Sequence, residues 1–188
     1  MSLIAFSLWG FGVSCDGAAD QEIPKSICGT RMDPDLMRPL VTSAEDWHEY
    51  DRVDRSEAIT APCLVQVQNH LAIRFRFSWD ENPMDLMYLA KNTGSISGVT
   101  DPREIASPYK MVVGTDGAIS TTRCKTKGGQ YFTLTLQLPR IKLTDQTHRK
   151  DIEKFMRAYF PATVNTLGCG KTTARTTGPG EVSHRNLN

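Results

Sequence analysis

A chain of 188 residues, 39% hydrophobic and 23% charged, carries enough apolar material for one ordinary globular domain and too much for an intrinsically disordered one. Its net charge of +1 gives no global field for nucleic acid or for an anionic membrane surface. The charge is graded, from 5 basic against 11 acidic residues over 1–60 to 9 against 4 over 139–188. Such a gradient fits an acidic front part facing a basic back part, or two solvated surfaces.

The chain opens on an apolar run, Leu3 to Val13, of 11 residues. A membrane-spanning helix needs about 20, whereas the hydrophobic core of a signal peptide is of this length. No Lys or Arg precedes the run, although a secretory signal normally begins with positive charge. Gly12, Val13 and Ser14 then lead into Cys15. An apolar run, small residues and a cysteine resemble a bacterial lipoprotein signal. Ser14 fits that pattern, and Gly12 stands where Leu is usual. The resemblance implies export, with Cys15 as candidate lipid site. A truncated signal-anchor helix fits the same residues. Residues 1–15 are therefore read as a signal or anchor remnant that attaches the protein to a membrane, and 16–27 as a polar tether.

The remaining cysteines, Cys28, Cys63, Cys124 and Cys169, are even in number, as a disulfide framework requires. None has a second Cys or a His at ligand spacing, so no metal site is expected. The alternative to two disulfides is four buried thiols in a reduced protein.

Within the folded region, expected over 28–169, Asp33-Pro34 starts a short helix, with Asp as cap and Pro at the first helical position. Leu36, Met37 and Leu40 form its apolar stripe. Ser43 to Thr60 is acidic and reads as an excursion between elements. Cys63 to Gln68 alternates as a strand, and Asn69-His70 is a turn. Leu71, Ile73, Phe75, Phe77 and Trp79 then oppose Ala72, Arg74, Arg76 and Ser78, the strongest strand signal in the chain. The arginines make one face wet, so the sheet is predicted to be antiparallel. Asn82-Pro83 starts a second short helix with Met84, Met87 and Tyr88 turned inward. Asp101-Pro102 with Glu104 predicts one more helical turn.

Asp116-Gly117 predicts a hairpin between Tyr109–Val113 and Ala118–Lys125, because Gly accepts the positive φ of such turns. After Gly128-Gly129, Tyr131 to Leu138 is a strand with Phe132, Leu134, Leu136 and Leu138 on one face. A helix follows, capped by Thr144 or Asp145, with Ile152, Phe155, Met156, Tyr159, Phe160 and Val164 at helical spacing. Pro161 should end or kink it near Phe160. Residues 170–188 are Gly, Thr, Pro and charge, and read as a disordered tail.

Cys63 lies eight residues before Leu71, and Cys124 eight residues before Phe132. Each hairpin leads to a Pro and a helix. This is either a duplicated cysteine–hairpin–helix unit or a common outcome in α+β chains. The layout pairs Cys28 with Cys63 and Cys124 with Cys169, one of the three connectivities four cysteines allow.

Few residues carry recognisable chemistry. Gly168-Cys169-Gly170-Lys171-Thr172-Thr173 ends like a phosphate loop, but Asn165 stands where the first Gly belongs, and a helix precedes the stretch instead of a strand. No Ser sits in a nucleophile elbow. His70 reads as a turn residue, His148 as first-turn helix and His184 as tail. His48, within Trp47-His48-Glu49-Tyr50, has neighbours suited to a pocket. Asp80, Glu81 and Asp85 crowd one helix start, where acids are stabilised anyway. Arg74 and Arg76 lie opposite the aromatics, so the strand lacks the exposed aromatic face of an RNA-binding sheet.

The expected fold is α+β: an antiparallel sheet of about five strands, one long C-terminal helix and short helices on one face. Lipoprotein-like start, tether, two cysteine pairs and small α+β body are similar in layout to uncharacterised actinobacterial cell-envelope proteins and lipoproteins. The Cys28-Gly29-Thr30 start and the closing Leu167-Gly168-Cys169 add to that similarity. It implies an extracytoplasmic location, secreted or membrane-anchored, and no particular activity. The expected function is a binding or interaction domain without catalysis or cofactor, whose partner is an envelope protein or a small ligand and not nucleic acid. The alternative is a small extracytoplasmic enzyme with a site near His48 and Asp80/Asp85.

Overall fold

The computed structural model describes residues 22–41, 43–53, 61–92, 98–126, 128–140 and 146–169. A two-stranded hairpin comes first, β1 (Ser26–Ile27) with β2 (Thr30–Arg31), turning through Cys28 and Gly29 at φ 49° and 69°. A 3-10 turn at Pro34–Leu36 follows, with the Asp33 carboxylate accepting from the Asp35 N–H, as the Asp-Pro pair predicts. The main sheet comprises β3 (His48–Asp51), β4 (Ala61–Val67), β5 (His70–Asp80), β6 (Arg103–Glu104), β7 (Lys110–Val113), β8 (Gly117–Thr126) and β9 (Gly129–Gln137). Their order is β3-β4-β5-β9-β8-β7-β6, and every neighbouring pair is antiparallel. The helices are α1 (Leu86–Lys91) and α2 (Thr147–Thr166).

The alternation of β5 decides which face is core. Ile73, Phe75, Phe77 and Trp79 are buried, as are Phe132, Leu134 and Leu136 of β9. Against them lies the apolar stripe of α2: Ile152, Phe155, Met156, Tyr159, Phe160 and Val164. Phe75 stacks on Tyr159 with ring centroids 4.8 Å apart, and Phe132 on Phe160 at 5.9 Å. Each such side chain removed from water contributes about 1.5–3 kcal/mol. The β4–β5 turn is at Gln68-Asn69, both at positive φ, one residue earlier than expected. Asn tolerates the left-handed region, and His70 is thereby freed to begin β5.

The architecture is α+β as predicted, but the sheet has seven strands instead of about five. The two additional strands are its edges. β3 lies inside the presumed excursion Ser43–Thr60, and β6 occupies the position of the expected helical turn after Asp101-Pro102. Both are short and wholly exposed, so no apolar alternation marks them. The helices do not share a face. Leu86 and Ala90 of α1 pack with Val99, Val112 and Ile119 in a separate cluster, on the reverse of the sheet from α2. Tyr88, expected inward, is 69% exposed, and the buried stripe of α1 starts at Leu86.

Two three-strand meanders, β3-β4-β5 and β7-β8-β9, meet at the central β5–β9 pair. That arrangement keeps the hairpin echo. A two-fold relating antiparallel neighbours is perpendicular to the sheet and would put both helices on one face. Their opposite placement means the repeat does not extend to the helices.

The folded region begins before Cys28. Ile23 and Ile27 are buried in the main core, so the last residues of the presumed tether belong to the domain. The helix also runs past Pro161 to Thr166. Thr163 and Val164 beyond the proline are buried, which holds the last turn in place despite the missing N–H. Gly168, at φ 77°, closes it. The expected caps Thr144 and Asp145 lie outside the described residues; Gln146 precedes the helix and makes no side-chain cap.

Both expected disulfides are present. Cys28–Cys63 ties the first hairpin to β4, and Cys124–Cys169 ties β8 to the second residue after the helix cap Leu167.

Candidate functional site

A concavity lies at the β6–β7 end of the sheet. It is a cleft of about 730 Å³ between the start of α1 and the segment from Glu104 to Val112. Pro83, Met84 and Leu86 form one wall; Ile105, Ala106, Pro108 and Tyr109 form the other, with Met111 and Val112 behind. Polar groups on the lining are Asp85, Glu104, Ser107 and Lys110. Asp85 is committed to the helix, where its carboxylate accepts from the Tyr88 N–H at 3.0 Å.

The outer wall is fastened to the core. The Ile105 N–H donates to the Met111 carbonyl at 3.0 Å, closing the segment into a loop. Arg157 of α2 donates to the Ala106 carbonyl at 2.8 Å and is itself held by Glu153. The Tyr109 ring meets Phe160 edge-on at 5.1 Å. Through Phe160 and Phe132 the wall is continuous with the aromatic core. A pre-formed cleft of this volume, lined about equally by polar and apolar surface, is within the size range of small-molecule sites.

The sequence-predicted residues do not assemble into a site. His48 is exposed on edge strand β3, level with Gln66 and, across β4, with Leu71. Asp80 is at the opposite end of β5. Nine residues separate Leu71 from Asp80, about 30 Å at 3.3 Å per residue. Register therefore keeps His48 and Asp80 apart, at opposite ends of the sheet. Asp85 borders the cleft alone, and Glu81 is exposed. His70 starts β5 and His148 lies in the first turn of α2. Cys15, His184 and the Gly170–Thr173 part of the phosphate-loop-like stretch lie outside the described residues.

Among the described residues, one group of candidate metal donors converges: the sulfurs of Cys28 and Cys63 and a carboxylate oxygen of Glu49, all within 4.8 Å of one another. The two sulfurs are joined in a disulfide, which removes the thiolates a metal would need.

Two groups on the reverse face of the sheet have altered acidity. Burial pushes the Asp80 carboxyl above its ordinary value. Burial, and then the neighbouring Arg74 charge, lower the Arg76 guanidinium.

The cleft was not legible in the sequence. Its walls come from Pro83–Leu86 and Glu104–Val112, which share no motif. The nearest signal is the density of Met, Ile and Tyr around Pro102 and Pro108 in a stretch with little regular structure. Comparison with protein families, with curated proteins and with solved structures finds no match to this chain.

Proposed function

We propose that this protein is a non-catalytic binding domain that works outside the cytoplasm, secreted or held at the membrane by its N-terminal segment. Its ligand site is the cleft between α1 and the Glu104–Val112 segment. The observation that carries this reading is the cleft itself: pre-formed, about 730 Å³, with Met84, Leu86, Ile105 and Met111 interleaved with Asp85, Glu104, Ser107 and Lys110 on its lining. The ligand of such a site is a small amphipathic molecule, with an apolar part against the methionines and polar groups toward Glu104, Ser107 and Lys110. Met84 and Met111 suit it, because unbranched thioether side chains adapt to varied shapes. Two disulfides support an oxidising compartment. The lipoprotein-like layout around Cys15 agrees with that location.

The test is a titration with an uncharged solvatochromic dye such as Nile red. The wild-type chain should bind one equivalent with a blue-shifted emission. Ala106→Trp keeps the backbone carbonyl held by Arg157 and fills the cleft; it should abolish binding without lowering the thermal midpoint. Equal dye binding by a folded Ala106→Trp variant would reject the cleft as the site. Location is tested separately, by mass spectrometry of the Cys15 peptide from membrane fractions for a diacylglycerol adduct.

A further inference from the structure

The face of the sheet turned away from α2 is covered by α1 only over β7 and β8. Over β3, β4 and β5 the described residues place no helix on it. The pairing registers fix what this face displays. Tyr50 is opposite Leu64, Leu64 opposite Arg74, and Arg74 opposite Gln137. On the next rung Pro62 is opposite Arg76, and Arg76 opposite Thr135. Arg74 and Arg76 therefore project from the same face of the central strand, two residues or about 6.7 Å apart. A shallow cavity of about 190 Å³ opens beside Arg74, lined also by Gln137, Leu138 and Pro139. Its one acid, Asp116, is engaged by the Thr100 N–H at 2.7 Å and the Thr100 hydroxyl at 2.8 Å.

Both arginines are half-buried, yet among the described residues neither side chain has a hydrogen-bond or ion-pair partner. Asp116 shares the cavity beside Arg74, and the Arg74 charge bears on Arg76. Folded chains place buried charge beside a counter-charge, because an uncompensated guanidinium costs desolvation without return. Two guanidiniums side by side, without a partner among the described residues, are an arrangement a ligand would complete. Their fork-shaped donors match carboxylates bidentately.

We propose that the Arg74–Arg76 face is a second binding surface, and that its partner is an extended acidic peptide segment of another protein, with carboxylates two residues apart. An extended strand repeats every two residues on one face, so the carboxylates of such a segment recur at the spacing of the two arginines. Tyr50, 52% exposed, and Leu64 flank the pair and offer apolar contact to the intervening stems. This surface lies over β3–β5 and does not depend on the cleft described above.

The experiment is fluorescence anisotropy on the full chain with a labelled peptide of alternating Glu and Thr, and its Gln–Thr counterpart. The Glu peptide should bind, more weakly as salt is raised, and the Gln peptide should not. Arg74→Gln with Arg76→Gln should weaken Glu-peptide binding by at least roughly tenfold. Arg74→Lys with Arg76→Lys retains charge but not the fork, and should fall between. Ala106→Trp, which fills the cleft, should leave the affinity unchanged. Circular dichroism establishes that each variant is folded. Equal binding by wild type and the double Gln variant would overturn the proposal. So would binding of a polyuronate in place of the peptide, or no binding of the Glu peptide at all.

Discussion

The hydroxyls of Thr30 and Thr163 lie 3.1 Å apart in the buried interior, joining β2 to the part of α2 beyond Pro161. Thr163 also donates to the Tyr159 carbonyl at 2.9 Å, so its own hydrogen is used and Thr30 is the donor between the two. The Tyr159 hydroxyl in turn donates to the Ile27 carbonyl at 2.9 Å. The first hairpin and the last helix are thus connected by a short buried chain of hydroxyls on both sides of the proline. Thr163→Val should cost about 1–3 kcal/mol, because it leaves the Thr30 hydroxyl buried without an acceptor. Thr30→Val combined with Thr163→Val should cost less than Thr163→Val alone. Urea denaturation of the four proteins in a double-mutant cycle reads the difference; strictly additive losses would deny the coupling.

The two disulfides should act separately. They close separations of 35 and 45 residues, which on the chain-entropy account stabilise by about 4 kcal/mol each. Against a total stability of about 5–15 kcal/mol for an ordinary domain, loss of either is severe and loss of both leaves little. Cys28 and Cys63 are fully buried, whereas Cys169 is partly exposed. A water-soluble phosphine should therefore reduce Cys124–Cys169 first. Differential alkylation followed by peptide mapping checks the order, and earlier reduction of Cys28–Cys63 would contradict it.

Much of the fold was legible because period and punctuation agree. The alternation from Leu71 to Trp79 gives β5 and its core face directly, and the placement of two cysteines around each hairpin gives the disulfide pairing. The failures share a cause: the deciding contacts are tertiary. β3 and β6 are edge strands, and only pairing with β4 and β7 defines them. Pro161 was read by its local effect, but buried Thr163 and Val164 outweigh the lost hydrogen bond. The cleft is assembled from Pro83–Leu86 and Glu104–Val112, brought together by α1 packing on β7 and β8. The candidate acid–base residues failed for a simpler reason. His48 and Asp80 sit at opposite ends of the sheet, and strand register is not visible before pairing is known.

Arg149 links α2 to the β6–β7 edge and should be the most sensitive charged residue in the domain. Its guanidinium donates to the Val113 carbonyl at 2.7 Å and pairs with Asp101 at 2.5 Å, while its Nε contacts Gln146 at 3.3 Å. The Arg149 side chain is 10% exposed and Asp101 46%, so the buried half of the interaction is the hydrogen bond to Val113. Arg149→Met should cost about 1–3 kcal/mol, chiefly through the orphaned carbonyl. Asp101→Asn should cost less, because its carboxylate is half in water and shared with Arg103. Denaturation midpoints of the two variants rank the terms, and a larger loss for Asp101→Asn would show that the ion pair dominates.

Asp80 gives the domain an expected pH dependence. It ends β5 opposite Tyr131 of β9, and Gly129 packs against it so closely that a Cβ there would lie 2.8 Å from both its backbone nitrogen and oxygen. That crowding fits the burial that raises the pKa of its carboxyl in the folded chain. Because the folded state holds the proton more tightly than the unfolded state, the stabilisation associated with this group is complete below the unfolded pKa. It is lost as pH rises through the folded pKa. At neutral pH the charged carboxylate is thus a net burden. Asp80→Asn, which stays neutral, should be more stable than wild type at about pH 7, and the gap should close as pH falls below the aspartate range near 4. Thermal midpoints of both proteins across that range decide it: a gap independent of pH, or one that widens in acid, would remove the desolvated carboxyl as the cause.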